Sequence, residues 1–322
     1  MRPTRAVLLL LPLLALAAPR ALASGLAFVV NSGGASISLV DMSSEKELRR
    51  IPVLREPHHL ALSPDGKSLL VGDTVGNEML FLDPATGAIQ RRVPVADPYQ
   101  LGFSPNGKFL VVNGLARNQV DVYDAVSMQL LKRFPIASMP SHLAYAPDSS
   151  RVFISLQSTD SLVAIDLTKL SVLWNQKVGK TPAGVLWHDG KLLVADMGTD
   201  YVAVVDPADG RVLNRIHTGK GAHNLFISPD RKIIWVNNRV GGTTTSLDAA
   251  TLAAMKSYAI PGGPDDIDFA PDGRLWITRR WAEKVAVLDP KTGDYRTIDV
   301  GRSPHGIFLN PHAPPAASVA TR

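Results

Sequence analysis

Pro57-His58-His59-Leu60-Ala61-Leu62-Ser63-Pro64-Asp65-Gly66-Lys67-Ser68-Leu69-Leu70-Val71-Gly72-Asp73 is the stretch on which the fold turns. Its Ser-Pro-Asp-Gly centre is a tight turn, because Pro presets φ, Asp bonds back to the chain and Gly accepts a positive φ. A short apolar run stands on each side of the turn, so the stretch reads as two antiparallel strands. The same grammar recurs at Ser104-Pro105-Asn106-Gly107, Ala146-Pro147-Asp148-Ser149, His188-Asp189-Gly190, Ser228-Pro229-Asp230 and Ala270-Pro271-Asp272-Gly273.

Working outward, each unit opens on a residue equivalent to Pro57: Pro98, Pro140, Pro182, Ala222, Pro264 and Pro304, at intervals of 41, 42, 42, 40, 42 and 40 residues. Each continues through a second strand, a polar loop and an alternating third strand such as Val285-Ala286-Val287-Leu288. That strand ends in Asp at positions 41, 83, 124, 166, 206, 248 and 289. Asp-Pro-x-x-Gly at three of these ends starts a hairpin into a fourth strand, and seven such carboxylates are explained by turn formation alone. Four short strands per period of about 40 residues is the blade of a β-propeller. Six periods are complete. The chain from Gly25 to Val53 supplies a second, third and fourth strand, and Pro304 to Leu309 a first, so the termini are expected to pair into a seventh blade. The expected fold is all-β, a seven-bladed propeller spanning 24–312, with a tail at 313–322.

The first 23 residues read differently. Arg2 and Arg5 precede the apolar run Ala6 to Ala18, and Ala21-Leu22-Ala23 offers a small-residue cleavage site, the pattern of a secretory signal peptide. That run is too short to span a bilayer, which takes roughly 20 residues, and no later segment is continuously apolar, so no membrane span is expected. Cleavage after Ala23 leaves 299 of the 322 residues and removes Arg2, Arg5 and Arg20, so a formal charge of +5 falls to +2. No basic block remains to mark nucleic acid as a partner. The chain has 0 Cys, which excludes disulfides, thiolate metal sites and covalent c-type haem. A periplasmic or secreted location is expected.

Taken together, Ser63 to Gly87 and Asp272 to Gly293 resemble the YVTN-type repeats of exported bacterial seven-bladed propellers. The resemblance extends from about Gly25 to Leu309. It implies the fold, and binding or scaffold roles on the bacterial surface or in the periplasm. Gly273-Arg274-Leu275-Trp276-Ile277-Thr278 with Asp289-Pro290-Lys291-Thr292-Gly293 is also similar to a repeat of the streptogramin lyases, without a match to their His/Glu catalytic arrangement.

In such a ring the first strand of each blade lines the central channel. The loop entering it opens on the same face as the loop after the second strand. The entering positions carry His58, His59, Tyr99, Gln100, His142, His223, Asn224, Asp265, Asp266 and His305; the loops carry Asp73, Asn113, Arg117, Gln157, Asp196, Asn237, Asn238, Arg239, Arg279, Arg280 and Trp281. Five of the 8 histidines fall on two adjacent repeat positions. A duplicated repeat inheriting a structural His is one explanation; rings converging on a ligand is the other. Arg239, Arg279 and Arg280 suit a carboxylate or phosphate and Trp281 a flat ligand or cation, unless Asp265 and Asp266 merely pair with Arg279 and Arg280 to brace the blades.

The leading expectation is therefore binding of a small anionic or zwitterionic molecule, or a periplasmic protein partner, at the channel mouth. Its anchors are His58, His59, His142, His223, Asn238, Arg239, Asp265, Asp266, Arg279, Arg280, Trp281 and His305. A divalent transition metal on His58, His223, His305 and Asp265 is a sharper variant. The alternatives are a lyase or lactonase with His223 or His305 as acid/base, a noncovalent tetrapyrrole site, and a plain scaffold.

Overall fold

The computed structural model describes residues 25–314. The expected leader and its cleavage site lie outside the described residues, as does the tail beyond Pro314. The described chain forms seven four-stranded antiparallel sheets arranged as the blades of a ring. Blade 1 holds Pro57–Leu62, Leu69–Asp73, Glu78–Leu82 and Ile89–Pro94 from the inside outward, and blades 2 to 6 repeat the order. Blade 7 joins the termini: Pro304–Asn310 pairs with Leu26–Asn31, in a register that sets Phe28 opposite Phe308 and Leu26 opposite Asn310. This is the closure expected from the incomplete repeats.

Burial follows position within the blade. The two middle strands of blade 1 are buried at every residue, because neighbouring blades cover both of their faces and a continuous apolar run is then stable. The outermost strand is exposed and polar, with Gln90, Arg91 and Arg92 along it, charges that deter pairing of its free edge. Apolar clusters fill the seams. Leu26, Phe28, Val30 and Leu39 of blade 7 pack on Leu69, Val71, Leu80 and Leu82 of blade 1, and Ala313 joins them, so the packed chain runs at least that far.

The aspartates that end the third strands act as turn formers. Asp83 Oδ1 accepts the Ala85 and Thr86 amides, Asp166 Oδ1 those of Thr168 and Lys169, and Asp124 Oδ1 those of Val126 and Ser127.

Candidate functional site

In six of the seven blades the first strand departs from regular pairing just after its opening residue, whereas in blade 2 the pairing runs without a shift from Gln100 to Phe103. The register shifts between Pro57 and Leu60, Pro140 and Leu143, Pro182 and Val185, Ala222 and Asn224, and Pro264 and Ile267; it shifts in the blade 7 pair also. A regular strand sends successive side chains to opposite faces, whereas a bulge re-aims them. This explains how adjacent His58 and His59 both reach one cluster. The shifts thus place one or two irregular residues per affected blade at the channel, and in blades 1, 3, 5 and 7 these include His58, His59, His142, His223 and His305.

The rings form a closed circuit between blades. His305 lies 3.9 Å from His58 and 4.5 Å from His59, centroid to centroid; His59 lies 5.1 Å from His142, His142 5.3 Å from His223, and His223 6.2 Å from His305. Tyr99 stacks 4.1 Å from His58. All five histidines are buried. Blade 4 contributes Ala183 and Gly184 instead; a Cβ on Gly184 would stand 2.4 Å from Asn224 Oδ1, so that position is spent on blade packing.

Asp265 organises the opposite side. Its carboxylate is fully buried and takes the Arg239 guanidinium, His223 Nδ1 at 2.9 Å and Arg280 at 3.4 Å, with His305 Nε2 at 3.7 Å. Burial works to raise its pKa, but Arg239, His305 and His223 together outweigh burial and hold it well below the carboxylate range. Arg239 also approaches His223 Nε2. A guanidinium only donates, so these neighbours assign a neutral His223 with its proton on Nδ1, directed at Asp265. Burial lowers the pKa of His223, and moves those of His58, His59, His142 and His305 well below 6.5. The cluster therefore holds five neutral imidazoles at pH 7. With Asp265 it retains two guanidiniums for one carboxylate, a net positive charge.

Several ring nitrogens have no hydrogen-bond partner: His58 Nδ1, His59 Nε2, His142 Nε2 and both nitrogens of His305. His142 Nδ1 is paired with Ser141 Oγ at 2.8 Å, which Gln157 also reaches. Ser141 belongs to the cluster although no sequence signal distinguishes it from other serines in strands.

Of the twelve residues proposed from sequence, His58, His59, His142, His223, Arg239, Asp265, Arg280 and His305 come together. Four do not. Asn238 ties its own hairpin through Thr243 and Thr245 and holds Thr218 of the linker entering its blade. Asp266 accepts the Ile307 amide of blade 7 at 3.3 Å, as Gln100 accepts that of Leu143 at 2.6 Å, so both are inter-blade latches. Arg279 turns outward to the Pro261 carbonyl at 2.6 Å and the Tyr295 ring. Trp281 is 61% exposed, its indole lying over Gly263. The bracing alternative is met by Asp265 with Arg280 and Arg239; Asp266 and Arg279 take other partners.

A family model described as the YncE-like β-propeller matches residues 6–315, nearly the whole chain. The chain belongs to the YncE-like β-propeller family. Among solved structures, a functionally unknown protein of Desulfotomaculum acetoxidans superposes with a TM-score of 0.77 at 14% identity, over 89% of this chain and 99% of the other. The dihydro-heme d1 dehydrogenase NirN, in complex with DHE, gives 0.67 at 16% over 92% and 78%. A streptogramin B lyase gives 0.67 at 14% over 79% and 93%. No curated protein matches the chain. Identities this low show a shared fold for these structures and this YncE-like chain, and leave activity to the site itself. Among the described residues no helix is long and apolar enough to cross a membrane.

Proposed function

We propose that this YncE-like propeller is an exported binding protein that takes a small anionic or zwitterionic ligand at the histidine cluster where its blades meet. The unpaired imidazole nitrogens carry this reading. Buried polar atoms are nearly always hydrogen-bonded, and leaving one unsatisfied costs about 1–3 kcal/mol. Five such atoms sit in this cluster, on His58, His59, His142 and His305. Groups held at that expense are characteristic of a site kept ready for a ligand. The surplus positive charge of Arg239 and Arg280 over Asp265 favours an anion, and the neutral rings can donate or accept. The YVTN-type likeness and the leader pattern support export to the periplasm.

Native mass spectrometry of protein purified from periplasm, followed by calorimetric titration with small carboxylates, tests the reading. Binding that weakens at least tenfold in Arg280→Ala is expected. Unchanged affinity in both Arg280→Ala and His142→Ala overturns it.

A second reading rests on the His223–Asp265 pair at 2.9 Å. A carboxylate that orients an imidazole is the arrangement of a general acid/base, so the same site can serve a lyase or lactonase. His223→Asn separates the two: loss of turnover with affinity kept marks an enzyme, and loss of affinity with no turnover in the parent marks a binder.

A further inference from the structure

His58, His59 and His305 each present a ring nitrogen such that the three lie within 4.8 Å of one another, and all three residues are buried. They come from the irregular first-strand positions of blades 1 and 7, which the closure of the ring brings side by side. His223 and Asp265, grouped with His58 and His305 on sequence, are excluded by geometry. His223 Nε2 faces Arg239 and its Nδ1 faces Asp265, while Asp265 is committed to two guanidiniums. His59 takes the place expected for His223.

We propose that His58, His59 and His305 form a three-imidazole site for one borderline transition-metal cation of the Zn²⁺ or Cu²⁺ class. The inference rests on the cluster being a ligand site, and names part of what binds there. The donors select the metal. Neutral nitrogen ligands without carboxylate or thiolate suit Zn, Cu, Ni or Fe(II) and discriminate against Mg²⁺ and Ca²⁺, which require oxygen. A metal–nitrogen bond of about 2.0–2.1 Å brings tetrahedral ligand atoms to roughly 3.4 Å from each other. Closing from within 4.8 Å asks only for small ring rotations. Each of the three residues carries an unpaired nitrogen, and His305 has two.

Second, the surroundings resemble those of a metal-bound histidine. Asp265 stands 3.7 Å from His305 Nε2, so a carboxylate lies behind one ligand, where it can take the second ring proton and fix the tautomer. Three protein ligands leave a coordination position open. Tyr99 and His142 border the cluster, and Arg280 supplies a positive charge close by. An exogenous carboxylate ligating the metal and pairing with Arg280 would satisfy both halves of the site.

The test uses the full mature chain, stripped with chelator and titrated with Zn²⁺ against a chromophoric competitor, with Mg²⁺ and Ca²⁺ in parallel. One Zn²⁺ per chain is expected, at least 100-fold tighter than either alkaline-earth ion. His59→Gln and His305→Gln should each weaken it by more than about 100-fold, beyond what loss of an outer partner alone gives. His217→Ala, whose side chain is 80% exposed, should leave it unchanged. Thermal unfolding with and without Zn²⁺ guards against misfolded variants, since a ligand that binds only the folded state raises Tm. The parent should gain several degrees and a folded His59→Gln none. Co²⁺ in place of Zn²⁺ should give visible absorption bands that the same variants lose. Stoichiometry below a tenth, or equal affinity in parent and folded His59→Gln, overturns the metal site. Carboxylate binding that depends on Arg280 in the metal-stripped protein, together with Zn²⁺ uptake below a tenth per chain, leaves the anion site standing while the metal site falls.

Discussion

Asp196 occupies the same repeat position as Asp73, Asn31 and Asn238, yet its environment differs. Asp73 accepts the amides of Arg55, Glu56 and Gly76, each at 2.8 Å. Neither oxygen of Asp196 has a partner, and a Cβ on Gly179 would stand 2.0 Å from one of them. Burial pushes the Asp196 carboxyl up to about 8 from an ordinary 3.8. Across that window the unfolded chain loses this proton while the folded chain keeps it. Stability therefore falls as pH rises, by up to about 1.4 kcal/mol per unit. Asp196→Asn should raise Tm at pH 7.5 by several degrees and gain much less at pH 5, which paired melting curves can check. The Asp265 group behaves oppositely. Arg239→Met leaves a buried carboxylate short of its main partner and should lower unfolding stability by about 3–5 kcal/mol. In urea titrations the double variant with Asp265→Asn should lose less than the two single variants summed.

The element that matters is the bulged first strand. It converts a strand's alternation into paired inward side chains and leaves the next residue to hold the neighbouring blade. Asp266 and Asp268 accept the Ile307 and Leu309 amides of the closing strand, at 3.3 and 2.7 Å. Asp268→Ala should cost about 1–3 kcal/mol and speed amide exchange at Leu309 specifically. Gly184→Ala should cost a similar amount, about 1–3 kcal/mol, because its new methyl meets Asn224 of the next blade. Retained stability in Gly184→Ala would show the blades to be less tightly seated than their contacts imply.

At the scale of the molecule the ring depends on one strand from the far end of the chain. Deleting residues 304–322 uncovers the edge of Leu26–Asn31 and takes away His305. Size-exclusion chromatography should then show aggregates that the parent lacks. The ring also concentrates five buried neutral histidines at its centre. Below their ordinary pKa of 6.5 the unfolded chain binds protons that the folded chain refuses. Each such residue then removes up to about 1.4 kcal/mol of stability per pH unit. Urea midpoints should fall steeply from pH 7 to pH 5, and His142→Gln should flatten the slope.

Much of this was legible in the chain alone, for a physical reason. Turn chemistry and strand alternation are local, so Ser-Pro-Asp-Gly and the strand-ending aspartates announce a hairpin wherever they stand. Their spacing then leaves a propeller closed by its own termini as the consistent solution. The same repeat register picked out His58, His59, His142, His223 and His305. Which of their ring nitrogens come together was decided only by the tertiary structure. His59 displaces His223 beside His58 because Arg239 and Asp265, from blades 5 and 6, claim both nitrogens of His223. Arg279 and Arg280 are adjacent in sequence, yet one turns outward to Pro261 and the other inward to Asp265. The pairing of charges across blades depends on distances between residues far apart in the chain, and no local pattern encodes them.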